Sequence, residues 1–393
     1  MQRAHYSTAI FLASMPFVFL NFALPVYGDD LGLTPMMIGG TYAVFTLTML
    51  ILRPLIGLAL DLYGRRWFFI SAFLFYTLAM LAFAQLAGTS GLYLGRLLQG
   101  VGAALMWVSV RTIVADVEVA SGYAEGMGRL ITQSVRGSMV GATIGFTLLG
   151  FLPMTVAWVW AFTGYAALAL AAFVWSCVVI TETRPAETQS TASISVWARP
   201  RLRRILWMVL MAGFASALVE PIYLLFLKQK FSLDAMLLGL LFLPAGIVFA
   251  FVPRYAGAWA DLHGRGRVIA MGMVLAALVT MALPFWPMVW PIALCYIFFS
   301  VGWAMANPAI DALIAEEAGA HERGRLLGHK EMAQGVGLAL GPMVGTTLYQ
   351  HVAAEVPFVL NGLLLLFTAF LVSRWFGGSG DKTVSGEKGI HPG

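Results

Sequence analysis

Long apolar runs alternate with short polar breaks along almost the whole chain. A helix needs about 20 apolar residues to cross a bilayer core about 30 Å thick, and most runs have that length. The pattern therefore predicts an all-α membrane protein with twelve transmembrane helices. Their predicted ranges are 8–27, 36–58, 67–87, 91–114, 128–150, 156–180, 205–227, 234–256, 267–286, 289–312, 326–349 and 356–375.

Composition supports a membrane setting. Of the 393 residues, 60% are hydrophobic and 11% are charged, whereas soluble domains carry about 25% charged residues. A net charge of +5 is compatible with nucleic-acid binding, but basic residues collect in the cytoplasmic loops of any polytopic membrane protein. We therefore expect a lipid bilayer and no nucleic acid among the partners. No histidine or cysteine pair has metal-ligand spacing, so we predict no metal site.

The distribution of lysine and arginine predicts the orientation. Most basic residues between predicted helices fall on the side of the N-terminus, and the opposite side keeps only Lys228 and Lys230. The positive-inside rule then places both termini in the cytoplasm. No small-residue cleavage site follows the first run, which indicates a retained helix and not a signal peptide. We expect a multi-pass protein of the bacterial cytoplasmic (inner) membrane.

A polar motif closes the second predicted helix and recurs after the eighth, 200 residues later. Both copies read G-x-x-x-D-x-x-G-R, and their matched residues are Gly57, Asp61, Gly64 and Arg65, then Gly257, Asp261, Gly264 and Arg265. Equal spacing of two matches predicts an internal repeat. The predicted domains are six-helix bundles at 1–180 and 205–375, a cytoplasmic linker at 181–204 and a disordered tail at 376–393. Parallel repeats of this kind predict a substrate site between the halves.

This repeat, together with Arg96-Leu-Leu-Gln99-Gly100 in the fourth predicted helix, resembles the major facilitator superfamily of transporters. The resemblance covers nearly the whole chain apart from the linker and tail. One departure is Gly141-Ala142, where antiporters of the family usually have Gly-Pro. The resemblance implies alternating access without a cofactor, and the chain has no Walker phosphate-binding motif for direct use of ATP.

The resemblance also implies that the motif latches the cytoplasmic side. Asp61 at the end of an apolar helix needs a cation or a helix N-terminus, and by resemblance that partner is the start of the eleventh helix. Arg65 either pairs with Asp116 or serves, with Arg66, only to fix the topology. The predicted latch residues are Gly57, Asp61, Gly64, Arg65, Arg66, Arg111, Asp116, Arg129, Gly257, Asp261, Gly264, Arg265 and Glu316.

Glycines recur at four-residue spacing in the fifth and eleventh predicted helices. That spacing puts them on one helical face and allows a neighbouring helix to approach closely. Static packing and surfaces that rock between two states both remain open. The glycines are Gly137, Gly141, Gly145, Gly337, Gly341 and Gly345.

Two charges lie inside predicted helices at similar depth. Arg96 and Glu220 are both roughly 8–11 Å below the outer edge of the core at 1.5 Å per residue. We predict that Glu220 couples transport to protons by releasing Arg96 when protonated; a static ion pair and a snorkelling Glu220 are the alternatives. Arg53 is expected to snorkel toward the cytoplasm, and Arg136 either snorkels or binds substrate. Asn307-Pro308 is expected to break the tenth helix. Further cavity candidates are Asn21, Gln99, Trp107, Gln133, Arg136 and Asn307.

These observations predict a secondary transporter that exports small amphipathic or drug-like molecules in exchange for protons. A proton-coupled transporter of a polar metabolite such as a sugar, and a lipid flippase or lysolipid transporter, are the alternatives. An intramembrane enzyme is disfavoured because no reactive constellation is visible. The expected partners are a small-molecule substrate, protons and the bilayer, and we expect a monomer with the proton gradient as energy source.

Overall fold

The computed structural model describes residues 2–86, 88–117, 123–183, 199–233, 262–317 and 323–376, together with scattered positions between 237 and 260. Within these residues all regular structure is helical, which confirms the predicted all-α class. The α-helices are α1 (Gln2–Ser14), α2 (Pro16–Asp30), α3 (Pro35–Tyr63), α4 (Arg66–Gln85), α5 (Gly88–Val117), α6 (Tyr123–Phe151), α7 (Met154–Val179), α8 (Pro200–Phe231), α9 (Arg265–Ala282), α10 (Val289–Glu317), α11 (Arg323–His351) and α12 (Val356–Phe376).

Local sequence signals set several helix ends. Thr34 accepts a hydrogen bond from the Met37 N–H (3.3 Å), and Pro35 occupies the first helical position of α3, as expected of an N-cap followed by proline. Pro16 begins α2 directly after α1, and the two helices form one span, His5–Asp30. Gly64 follows α3 with φ 92°, a left-handed conformation that favours glycine.

Nine spans among the described residues are long and apolar enough to cross a membrane. Helices α6 and α11 have 29 residues each, which is long enough to span, but they are not among the nine. The predicted eighth helix, 234–256, lies largely outside the described residues.

The chain divides into two compact units. Met1–Ser193 and Pro221–Gly239 form the first unit, and Ile194–Glu220 with Leu240–Gly393 form the second. In the first unit α4 packs against α5 and α7, α3 against α5, and α1 against α6 and α7. In the second unit α9 packs against α10 and α12. The domain boundaries at 180 and 205 remain a prediction.

Contacts inside each unit repeat at the 200-residue spacing. A Cβ atom on Gly102 would press against the Ala72 carbonyl and Tyr76, and one on Gly302 would press against the Gly272 carbonyl and Ala276. The contact between α4 and α5 is thus reproduced between α9 and α10. The predicted internal repeat is visible as matched packing.

The structure corrects the expectation for Pro308. Helix α10 runs without interruption from Val289 to Glu317 with this proline inside it. A proline removes one N–H donor, and transmembrane helices tolerate that loss because neighbouring groups re-satisfy the backbone. Asn307 is exposed on this continuous helix and does not mark a break.

Candidate functional site

The turn between α3 and α4 is held by charged groups. Arg65 is almost fully buried, and its Nε lies 2.9 Å from Asp116 Oδ2 on α5. Its Nη1 also donates to the Leu60 carbonyl (3.0 Å). The Glu182 carboxylate accepts from the backbone N–H groups of Arg65 and Arg66 (2.9–3.1 Å), so an anion caps the start of α4.

Other predicted latch residues near this turn have different surroundings. Arg66 donates to the Cys177 carbonyl (3.0 Å) on α7, and Arg129 is exposed on α6. Gly57 lies inside α3, and no described atom would meet a Cβ there within 4 Å. The reversal of the chain occurs at Gly64, and a latch role for Gly57 stays a prediction. Asp61 belongs to α3, but its side chain is outside the described part of the molecule.

The second motif repeats the ion pair in a more open setting. Arg265 Nη1 lies 2.6 Å from Glu316 Oε1 and donates to the Ala312 carbonyl. Arg201 also reaches Glu316, at 3.4 Å. The preceding Gly264 has φ 93°, like its counterpart Gly64. Gly257 and Asp261 lie outside the described residues.

Arg96 is the most deeply buried charged side chain in the described chain, with 1% exposure. Its guanidinium donates to Gln99 Oε1 (3.0 Å) and Asn21 Oδ1 (3.3 Å), and it lies over the Tyr42 ring at 4.8 Å. Two neutral amides and an aromatic face therefore contact this permanent charge, which is costly inside a membrane.

Glu220 belongs to the second unit, whereas Arg96 belongs to the first. Glu220 is exposed at the middle of α8 and lies close enough to Tyr296 on α10 for an electrostatic interaction. Pairing of Glu220 with Arg96 stays a prediction.

A cavity of about 240 Å³ opens in the first unit. Four helices line it, and the lining residues are Phe17, Phe45, Met49, Arg53, Ala103, Trp107, Arg111 and Ile131. Trp107 is the predicted cavity residue found there. Arg111, predicted for the latch, and Arg53, predicted to snorkel, line it as well. The Phe45 ring also faces Arg96 (5.5 Å), so the cavity adjoins the buried arginine.

The remaining predicted cavity residues lie elsewhere. Gln133 is half-buried and Arg136 exposed on α6, and Asn307 is exposed on α10. None of the three is among the eight lining residues. Asn21 and Gln99 bind Arg96 and do not line the cavity directly.

The predicted packing glycines contact the first helices of each unit. Cβ atoms on Gly137 and Gly141 would overlap the carbonyls of Phe11 and Met15. In the second unit, Gly337 and Gly341 meet α8 in the same way, at Leu210, Phe214 and Ala217. Gly145 meets the Phe19 ring, and Gly345 is buried. These glycines therefore permit close backbone contact.

An ion cluster at the ends of α2 and α8, which we call the outer clasp, was missed by sequence reasoning. Lys228 Nζ lies 2.7 Å from Asp29 Oδ2 and 2.6 Å from Asp30 Oδ1. Gln229 Nε2 adds a bond to Asp29 (3.4 Å). The sequence did contain a signal for this cluster, because Lys228 is one of two cations on the predicted outer side and Asp29 and Asp30 lie on the same side.

Long apolar helices, glycine-mediated contacts and a buried arginine beside a mostly apolar cavity are typical of a polytopic membrane protein. The chain belongs to the Major Facilitator Superfamily, whose family model matches residues 6–255 and 205–390. The predicted family is thereby confirmed, and the chain is a transporter of small molecules, not an enzyme. Members of this family generally need no cofactor.

Similar proteins support this placement. The chain is 23% identical to Multidrug resistance protein 1 of Bacillus subtilis (strain 168) over 391 residues, which are 95% of this chain and 97% of that protein. It is 25% identical to Quinolone resistance protein NorA of Staphylococcus aureus (strain Mu50 / ATCC 700699) over 348 residues, 85% of this chain and 86% of NorA. The fold is similar to that of the nucleoside transporter NupG, with TM-score 0.77 and 13% identity over 96% of this chain and 100% of that one.

Proposed function

We propose that this transporter exports small amphipathic or drug-like molecules and draws its energy from protons moving the opposite way. The observation that carries the proposal is the mostly apolar cavity beside the buried Arg96. Aromatic and aliphatic walls bind amphipathic molecules through their apolar area. The printed names of two relatives, a multidrug and a quinolone resistance protein, point the same way.

The cavity lining argues against the sugar alternative. A site for a sugar needs many hydrogen-bonding groups to match its hydroxyls. Six of the eight lining side chains are aromatic or aliphatic, and the other two are arginines. Neutral amide and hydroxyl groups are missing from this lining set.

For proton coupling, the proposal assigns Glu220 as the group that binds and releases the proton. Its carboxylate can change charge, whereas the guanidinium of Arg96 cannot in a protein. Protonation of Glu220 would remove its attraction to Arg96 and free that arginine's neutral partners to rearrange. Substrate and proton would then occupy the transporter alternately, which is the requirement for exchange.

For gating, the proposal assigns the turn at Gly64 to the predicted cytoplasmic latch. The Arg65–Asp116 pair and the Glu182 cap hold this turn, which directly follows the helix that carries Asp61. We further propose that the chain spans a bacterial inner membrane as two six-helix domains, with both termini in the cytoplasm. We also propose that it acts as a monomer.

Inside-out membrane vesicles test the export proposal. A fluorescent amphipathic dye should accumulate when a pH gradient is imposed, and accumulation should stop when the gradient is collapsed. Glu220→Gln should abolish gradient-driven uptake, whereas Glu355→Gln, which changes an acid between α11 and α12, should preserve it. Full gradient-driven uptake by Glu220→Gln would refute the coupling role, and uptake that ignores the gradient would refute proton drive.

A further inference from the structure

We propose that the cavity of the first unit recognises the anionic group of its ligand, so that amphipathic organic acids are preferred substrates. This rests on the proposed export function and names the substrate class for it. The cavity carries two guanidinium groups, Arg53 and Arg111, and no acid among its eight lining residues. Arginine matches a carboxylate through paired N–H donors in a rigid fork.

The two cations come from helices that run in the same direction. Tyr93 on α5 donates to the Met37 carbonyl on α3, and Arg96 lies over the Tyr42 ring. Further along, a Cβ on Gly100 would meet the Phe45 carbonyl. In these three contacts, residues further along α5 meet residues further along α3, which shows that the two helices run parallel here.

Each helix presents a stripe at four-residue spacing toward the cavity. On α3 the stripe is Phe45, Met49 and Arg53, and on α5 it is Ala103, Trp107 and Arg111. Residues four apart lie on one helical face. Because the helices are parallel, both stripes are apolar at one end and cationic at the other.

The cavity is therefore amphipathic in itself. Its two arginines lie toward the ends of α3 and α5, Arg53 about 15 Å before Tyr63 and Arg111 about 9 Å before Val117 at 1.5 Å per residue. An aryl or alkyl carboxylate would place its apolar body against Phe45, Met49 and Trp107, with its charge between the guanidiniums. A cation in the same pose would lie beside two guanidinium groups, which offer it no acceptor.

The volume suits a compact acid. The cavity has a volume of about 240 Å³. That size fits a substituted benzoate and is below the range of about 300–1,000 Å³ common for drug-sized ligands.

Competition binding to the purified full-length protein tests the proposal. The probe is radiolabelled 4-butylbenzoate in a scintillation proximity assay, and the unlabelled competitors are the same acid, 4-butylbenzamide and 4-butylbenzylamine. Loss of one charge-assisted hydrogen bond corresponds to about tenfold in affinity. We expect the acid to displace the probe at about tenfold lower concentration than the amide, with the amine weakest.

Substitution of each arginine tests whether Arg53 and Arg111 cause the preference for the acid. Arg53→Gln and Arg111→Gln should each weaken the acid about tenfold and leave the amide within about twofold. Retained amide binding shows that a variant is folded. The matched control is Arg374→Gln, an exposed arginine near the end of α12, which should bind all three compounds as the unchanged protein does.

Equal binding of acid and amide by the unchanged protein, or tighter binding of the amine, would overturn the proposal. So would an acid preference that survives in both arginine variants. The dye-export assay separates this outcome from the function: export without acid preference contradicts only the anion site, and acid preference without export contradicts only the transport function. Displacement by anionic lysophosphatidylglycerol but not by lysophosphatidylcholine would support the same chemistry with a lipid as its source.

Discussion

Arg65 and Arg265 occupy the same position in the two copies of the motif but differ in burial. This difference predicts that removing the acidic partner lowers the free energy of unfolding by different amounts. The side chains of Arg65 and Asp116 are 5% and 11% exposed, with Nε and Oδ2 2.9 Å apart. The side chains of Arg265 and Glu316 are 26% and 43% exposed, although their ion pair is shorter, at 2.6 Å. Asp116→Asn and Glu316→Gln each remove one negative charge and keep the shape of the side chain.

The expected magnitudes follow from what each change leaves behind. Removing one partner of a buried pair strands a charge and costs about 3–5 kcal/mol. Arg65 keeps its bond to the Leu60 carbonyl, and an asparagine oxygen can still accept from it, so we expect about 3 kcal/mol for Asp116→Asn. Exposed pairs contribute about 0–1 kcal/mol, which we expect for Glu316→Gln.

Thermal unfolding in a mild detergent, followed by tryptophan fluorescence, measures the difference. At about 2–4 °C per kcal/mol for a unit of this size, Asp116→Asn should lower Tm by roughly 6–12 °C and Glu316→Gln by at most about 4 °C. The double variant Arg65→Met with Asp116→Leu should recover most of the loss, because no stranded charge remains. Equal shifts for the two single variants would refute the reasoning from burial.

Three further predictions concern packing and the outer clasp. Gly141→Ala should lower Tm, because the added Cβ would overlap the Met15 carbonyl. In the control Gly57→Ala the added Cβ meets no described atom, so this change should raise helix stability by about 0.5–1 kcal/mol. An unchanged Tm for Gly141→Ala would contradict the contact with Met15. Lys228→Met should lower Tm by about 2–4 °C, from loss of roughly 1 kcal/mol of ion pairing, and Lys230→Met, whose ammonium lies over the Phe226 ring, should lower it less. Trp158→Phe should cost about 1–2 kcal/mol in thermal unfolding, because the fully buried indole donates to the Phe83 carbonyl (2.7 Å); the control Trp160→Phe, at a side chain 64% exposed, should cost nothing measurable.

The helices and the repeat were predictable because both depend on local sequence patterns. Run length gives the spans, and the spaced Gly-Asp-Gly-Arg motif marks the two copies. The glycine spacing on α6 also predicted close contacts, although not that Phe11 and Met15 supply them.

The cavity was not predictable from the sequence in the same way. Arg53 has the pattern of a snorkelling arginine when α3 is considered alone, and only the parallel packing of α3 and α5 brings it to Arg111. Glu182 likewise caps α4 across a separation of more than 100 residues. Such contacts depend on helix arrangement, which periodicity does not specify.

The limited apolarity of α6 has a consequence for biogenesis. This helix carries Arg129, Gln133 and Arg136, and its glycine face meets the backbone of α1 and of Met15 and a side chain of α2. A lone segment of this kind partitions weakly from the translocon into lipid, since each central arginine costs about 2.5–3.5 kcal/mol on the insertion scale. Packing against the earlier-synthesised α1 and α2 should therefore favour α6 in the bilayer, and deleting these two helices should reduce insertion of α6 while α4 still inserts.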